Sequence, residues 1–87
     1  MQIEYSKKFI KKFKKCPSKI KIAFKSKLRT FIKDQLNPIL NNHSLSGKLK
    51  EYKSININGD WRAIFQEIKD DDIIYFVAIG THSQLYS

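Results

Sequence analysis

A chain of 87 residues with a net charge of +9 and 41% apolar residues has room for one small hydrophobic core and is too apolar for a disordered segment. No apolar run nears the roughly 20 residues that cross a bilayer, and the N-terminal lysines interrupt any signal-peptide core. The single cysteine, Cys16, excludes an internal disulfide and has no metal-ligating neighbours in sequence, so a reducing, cytoplasmic setting is expected. The charge is lopsided. Residues 1–40 carry 12 Lys or Arg against Glu4 and Asp34, whereas residues 41–87 carry 5 basic and 6 acidic side chains. A basic half suits a polyanion or an acidic protein partner, with solvated lysines as the bland alternative.

Gln2–Tyr5 reads as a strand, because Ile3 and Tyr5 alternate with polar neighbours. Ser6 is a candidate N-cap for a helix from Lys7 to Lys15, with Phe9, Ile10 and Phe13 on one face. Pro17 lacks an amide proton, so it ends this helix and can open the next. The second helix is predicted from Ser18 to Leu36, since Ile20, Phe24, Leu28, Phe31, Ile32 and Leu36 recur at helical spacing. On another face Lys21, Lys25, Arg29 and Lys33 form an i, i+4 ladder. Like charges at that spacing repel by about 0.2–0.5 kcal/mol per pair. The ladder is either a wet helix face or a surface for an acidic partner or a phosphate backbone.

Residues 41–47 read as a loop, followed by strands from Leu49 to Ile57, Trp61 to Ile68 and Ile73 to Ile79. Asn58-Gly59 is a tight hairpin signal, and Lys69–Asp72 is the second turn. The last strand is almost continuously apolar, as a central strand covered on both faces is. The expected fold is α+β, in the order β-α-α-β-β-β. Two N-terminal helices pack on a small antiparallel sheet, in one domain spanning 1–87.

Asp60 begins one strand of the meander and His82 follows the end of the next. In an antiparallel pair these ends lie at the same sheet edge. His43, in the loop, can reach that edge. Imidazoles and a carboxylate are acid–base groups, though the same residues also read as a turn aspartate and surface histidines. RNA cleavage needs a base for the ribose 2′-hydroxyl, an acid for the leaving 5′-oxygen and a cation at the phosphate. His43, His82 and Asp60, with Arg62 or Lys48 and Lys50, meet those needs without a metal. Trp61 and Tyr86 can stack on bases. Tyr86, near the chain end, is the better placed of the two, and Trp61 reads as a core residue. There is no glycine-rich phosphate loop, and Asp70–Asp72 lacks the spacing of a calcium loop.

Three segments occur in order: His43-Ser44-Leu45-Ser46-Gly47-Lys48-Leu49-Lys50, then Gly59-Asp60-Trp61-Arg62, then Ile79-Gly80-Thr81-His82-Ser83-Gln84-Leu85-Tyr86. Together they resemble the RelE/ParE superfamily of bacterial toxins, and within it the YafQ-like branch, over nearly the whole chain. The resemblance implies a RelE-like fold and a type II toxin that cuts mRNA in the ribosomal A site. Its implied partners are a cognate antitoxin, the ribosome and mRNA, with no cofactor, no metal and no membrane. It also makes His82 the principal acid–base residue, Asp60 a second catalytic or orienting group, and His43 a further active-site histidine. Tyr86 falls where the branch has a functional aromatic, commonly Phe. One departure stands out. The branch often has a histidine in the strand before the turn, and here that position is Asn56, which cannot shuttle a proton but can hydrogen-bond a phosphate or ribose. Two further readings share the fold: a ParE-like inhibitor of DNA gyrase that is not an enzyme, and a basic RNA- or ribosome-binding module with weak or lost catalysis.

Overall fold

Alternation of apolar and polar residues after position 50 builds the sheet, and a computed structural model describes residues 1–86. The elements are β1 (Gln2–Tyr5), α1 (Lys7–Lys14), α2 (Ser18–Lys33), β2 (His43–Ser44), β3 (Lys53–Asn58), β4 (Trp61–Ile68), β5 (Ile73–Thr81) and α3 (His82–Tyr86). Short 3-10 turns occupy Pro38–Leu40, Gly47–Leu49 and Lys69–Asp71. The five strands lie in the order β1-β5-β4-β3-β2. β3, β4 and β5 form the expected antiparallel meander. β1 runs parallel to β5, from Gln2 opposite Ile73 to Tyr5 opposite Phe76, so the sheet is mixed. His43 and Ser44, expected in a loop, pair with Ser54 and Lys53 as an antiparallel edge strand.

Both helices pack on one sheet face, α1 over β5 and α2 over β3. Their contact is aromatic. The Phe76 ring lies 5.3 Å from that of Phe24, 5.5 Å from Phe65 and 5.8 Å from Phe9. Phe31 meets Phe65 edge-on at 5.2 Å. Such tilted and edge-on geometries are those that aromatic quadrupoles favour. Ser6 is the N-cap of α1: its Oγ accepts from the Phe9 amide at 3.0 Å and donates to the Val77 carbonyl at 3.3 Å, tying the helix to β5. Cys16 is buried, its thiol donates to the Lys12 carbonyl at 3.4 Å, and burial pushes its pKa up against the pull of Lys12 and Lys21.

Helix α2 stops at Lys33, three residues short of the predicted end. Asp34 is extended, with φ of −158°, and its carboxylate accepts from the Leu36 amide at 3.1 Å. This local side-chain bond offers the backbone an alternative to another helical turn. Leu36 is therefore 79% exposed, and Ile32, inside α2, is 53% exposed; neither is a core residue. Strand β3 starts at Lys53, after the turn at Gly47, rather than at Leu49. In the hairpin the central residues are Gly59 and Asp60, one position later than predicted, with positive φ at Gly59 only. That matches a II′ turn, which needs the left-handed region at its first central residue. Strand β5 is not covered on both faces. Ile74, Phe76 and Ile79 are buried, whereas Ile73, Tyr75, Val77 and Ala78 are partly exposed because the helices cover one side only. Among the described residues no helix is long and apolar enough to cross a membrane.

Removing the Phe76 ring should therefore be severe. Phe76→Ala is expected to cost about 3–5 kcal/mol, whereas Leu36→Ala should stay within about 0.5 kcal/mol of wild type. Urea unfolding of both variants, followed by circular dichroism, reads the difference.

Candidate active site

Residues directly opposite one another in a sheet share a face. On the face away from the helices the register places His43 opposite Ser54, Ser54 opposite Ile64, Asn56 opposite Arg62, Arg62 opposite Gly80 and Ile64 opposite Ala78. At the end of this face His43, Leu45, Ser54, Arg62, His82 and Tyr86 line a cleft of about 230 Å³. A larger hollow of about 570 Å³ lies between α1 and α3, floored by Ile64 and Ala78 and edged by Lys8 and Lys12, and no histidine or carboxylate lines it.

The helix α3 is placed by a capping box. The Thr81 hydroxyl accepts from the Gln84 amide at 3.3 Å, and Gln84 Oε1 accepts from the Thr81 amide at 2.9 Å. His82 is thereby the first residue of the helix, and its amide donates to the Asp60 carbonyl at 2.8 Å. One turn on, the Tyr86 ring lies 4.7 Å from the His82 ring, tilted by 57°. Gly80 allows the helix to fold back so closely: a Cβ there would sit 2.9 Å from Gln84 Oε1 and 3.4 Å from Leu85 Cδ2.

On the other wall, His43 Nδ1 lies 2.7 Å from the Asn41 carbonyl. A carbonyl only accepts, so Nδ1 carries the proton and Nε2 keeps the lone pair of the neutral ring. Asn41 is in the left-handed region, with φ of 45°, which turns its carbonyl toward the ring. Arg62 Nη1 donates to the carbonyls of Gly59 at 2.7 Å and Trp61 at 3.0 Å. These bonds orient the guanidinium while engaging one nitrogen of its five-donor fork. Two polar atoms on this face are unusual: Ser54 Oγ, in the cleft lining, and Asn56 Oδ1, beside Arg62, are buried and, among the described residues, have no hydrogen-bond partner. Each atom of this kind costs about 1–3 kcal/mol.

Of the residues singled out from sequence, the cleft unites His43, Arg62, His82 and Tyr86, with Asn56 beside Arg62. Asp60 is exposed and outside the cleft lining; its visible link to the site is its main-chain carbonyl. Lys48 and Lys50 are exposed on the turn around Gly47 and do not line the cleft either. Trp61 is partly buried and packs against the core. Lys21, Lys25, Arg29 and Lys33 ride on α2, on the opposite side of the sheet. Three contributors were not anticipated. The Thr81–Gln84 capping box is visible as Thr-x-x-Gln after a strand. Ser54 carries no signal, because its importance lies in its burial. Lys27 is the third: its ammonium crosses from α2 to the Ile57 carbonyl at 3.0 Å, at the bulge between Asn56 and Asn58. Among the described residues no cluster of His, Cys, Asp and Glu has the makings of a metal site.

A family model described as a bacterial toxin of type II toxin–antitoxin systems, YafQ, matches residues 1–87. Among solved structures the chain is similar to YafQ from E. coli strain BL21(DE3), with 25% identity and a TM-score of 0.68, covering 99% of this chain and 98% of that one. It is also similar to a metal-bound toxin from Helicobacter pylori, with 27% identity and a TM-score of 0.75, covering 99% of both chains. A YoeB/ParE toxin from Agrobacterium tumefaciens shares the fold at 10% identity, with a TM-score of 0.78 over 94% of this chain and 99% of that one. No curated protein matches the chain by sequence.

The capping box and Gly80 give the site a structural test. Thr81→Ala should cost about 0.5–2 kcal/mol of local stability, and Gly80→Ala should lift α3 from the sheet. In both variants amide exchange at residues 82–86 is expected to speed up while the β3 and β4 amides stay protected.

Proposed function

Because the chain belongs to the YafQ family of type II toxin–antitoxin toxins, we propose that it is a ribosome-dependent endoribonuclease that cuts mRNA by attack of a ribose 2′-hydroxyl on the adjacent phosphate. The observation that carries this reading is the convergence of two imidazoles, a guanidinium and an aromatic ring on one cleft of the open sheet face. In the neutral ring, with Nδ1 bonded to the Asn41 carbonyl, His43 Nε2 is the atom that takes the 2′-hydroxyl proton. The freed oxygen bonds to phosphorus, the bond to the 5′-oxygen breaks, and protonated His82 supplies the proton that the 5′-oxygen needs. The products are a 2′,3′-cyclic phosphate and a 5′-hydroxyl. Arg62 neutralises the charge that gathers on the phosphate oxygens. Tyr86 supports the His82 ring and offers a face for a base. Asp60 acts as an orienting group by holding the His82 amide. Asn56 stands where a histidine would shuttle protons, so the proton work falls to His43 and His82.

A type II toxin implies a cognate antitoxin. The outer face of α2 suits its binding. Lys25, Arg29 and Lys33 are exposed there with Lys21 half-buried, and Ile22 and Ile32, 69% and 53% exposed, are interleaved with them at helical spacing. Among the described residues none of these cations is paired with a carboxylate. An acidic amphipathic segment would cover both the charge and the apolar surface.

Primer-extension mapping of an mRNA translated with and without the protein tests the activity. His82→Ala should slow cleavage by about 10²–10⁴-fold, and Asp60→Asn, which keeps the main-chain bond, should slow it less. Inhibition of gyrase supercoiling with translated mRNA left intact would replace this reading. For the partner, changing Lys25, Arg29 and Lys33 together to Glu should weaken antitoxin binding by roughly tenfold or more, about 1.4 kcal/mol, and leave cleavage unchanged. Wild-type affinity should fall as salt rises; an affinity indifferent to salt would remove the charge from the account.

A further inference from the structure

Strand β3 carries two polar atoms that the folded chain leaves without partners, and both lie on the cleft side of the sheet. Ser54 is fully buried, and its Oγ, like the buried Oδ1 of Asn56, accepts and donates nothing among the described residues. Elsewhere the chain satisfies polar side chains that are less buried than Ser54. Ser6, Asn37, Asn42 and Gln84 all bond to main-chain atoms. The exceptions are therefore local. Ser54 and Asn56 are two residues apart and so share a face. Their register partners on that face are His43 and Arg62, the walls of the cleft. Buried polar atoms without partners are selected against unless a ligand or function uses them.

The chemistry of the two atoms narrows the ligand. A phosphate offers only acceptors at its anionic oxygens, so it can satisfy the Ser54 hydroxyl but not the Asn56 carbonyl oxygen. The missing group must donate a hydrogen bond, and to serve Ser54 in either direction it should also accept one. A ribose hydroxyl does both. The position agrees: the floor lies between the imidazole that takes a proton and the guanidinium that meets a phosphate. In a nucleotide the sugar lies between base and phosphate, and Tyr86 at the cleft supplies the base with a stacking face.

We propose that Ser54 and Asn56 form a ribose-binding floor that receives the 2′-hydroxyl of the nucleotide to be cut and turns it toward His43. This rests on the endoribonuclease reading above and adds to it a means of telling RNA from DNA at the ground-state binding step. It also gives Asn56 a task that a histidine is not needed for.

Two measurements test it. In urea, Ser54→Ala should unfold at the wild-type midpoint or above it, because the hydroxyl lost makes no bond in the free protein. A lower midpoint would mean that the hydroxyl is already satisfied within the fold, which overturns the floor. The second measures binding in the His82→Ala background, where cleavage is expected to be slow, on ribosomes programmed with an A-site codon that is all-ribose or carries one 2′-deoxy nucleotide at the cleavage position. The ribose codon should be preferred roughly tenfold, about 1.4 kcal/mol, and adding Ser54→Ala or Asn56→Ala should erase most of that preference. A preference that survives both changes overturns the proposal, as does one replaced by altered base selectivity. Failure of the parent reading looks different: the wild-type protein leaves translated mRNA intact. If the wild type cuts, and Ser54→Ala alone cuts as fast, only the floor is lost.

Discussion

The contact on which the structure turns is the packing of Phe76. Its ring lies within 6.3 Å of the rings of Tyr5, Phe9, Phe24, Phe31 and Phe65, which come from β1, α1, α2 and β4. Both helices and their neighbouring strands meet at this residue. An inward Phe76 also decides where the rest of β5 points. Beyond it the register shifts, so that Phe65 faces Phe76 but Ile64 faces Ala78, and Val77 is the extra residue. The bulge returns Ile79 to the core and sets Gly80 opposite Arg62 on the open face. Without it the alternation would carry Ile79 outward and Gly80 inward.

Covering one side of the sheet has a chemical consequence. The helices bury the aromatic face, and the other holds polar side chains beside a cleft, with Ser54 and Ile64 buried there too. On that face the chain accepts poorly satisfied groups at Ser54 and Asn56, a departure from its otherwise consistent local rules. The helix side carries the basic surface, on α2. Catalysis and partner binding, as proposed here, thus occupy opposite sides of one thin sheet, and a partner on α2 need not enter the cleft to be held.

The histidines are positioned by main-chain bonds more than by other side chains. His82 hangs from the Asp60 carbonyl through its amide and is locked by a capping box one residue earlier. His43 is turned by the Asn41 carbonyl. A five-residue helix such as α3 has little intrinsic stability, so its geometry depends on the cap and on its close approach to Gly80.

Much was legible in the sequence because it depends on neighbours along the chain. Alternation marked β3 and β4, an almost continuous apolar run marked β5, Ser6 marked the start of α1, and helical spacing marked the basic ladder of α2. Residue types in order also pointed to His43, Arg62, His82 and Tyr86. What the tertiary structure decided depends on partners far away in sequence. Nothing local states that β1 runs parallel to β5, that His43 pairs with Ser54, or that the bulge at Val77 turns Gly80 to the cleft. Local pattern even misled at Leu36, whose helical spacing continues past the point where Asp34 ends the helix, and at Ile32, which lies within α2 and is exposed all the same. The site divided in the same way. Residue types singled out His43, His82 and Arg62, which share the cleft, but only burial shows that Ser54 Oγ and Asn56 Oδ1 lack partners, since a serine gains its meaning from what surrounds it. Periodicity is a property of a segment, whereas register, burial and unmet hydrogen bonds are properties of the packed whole.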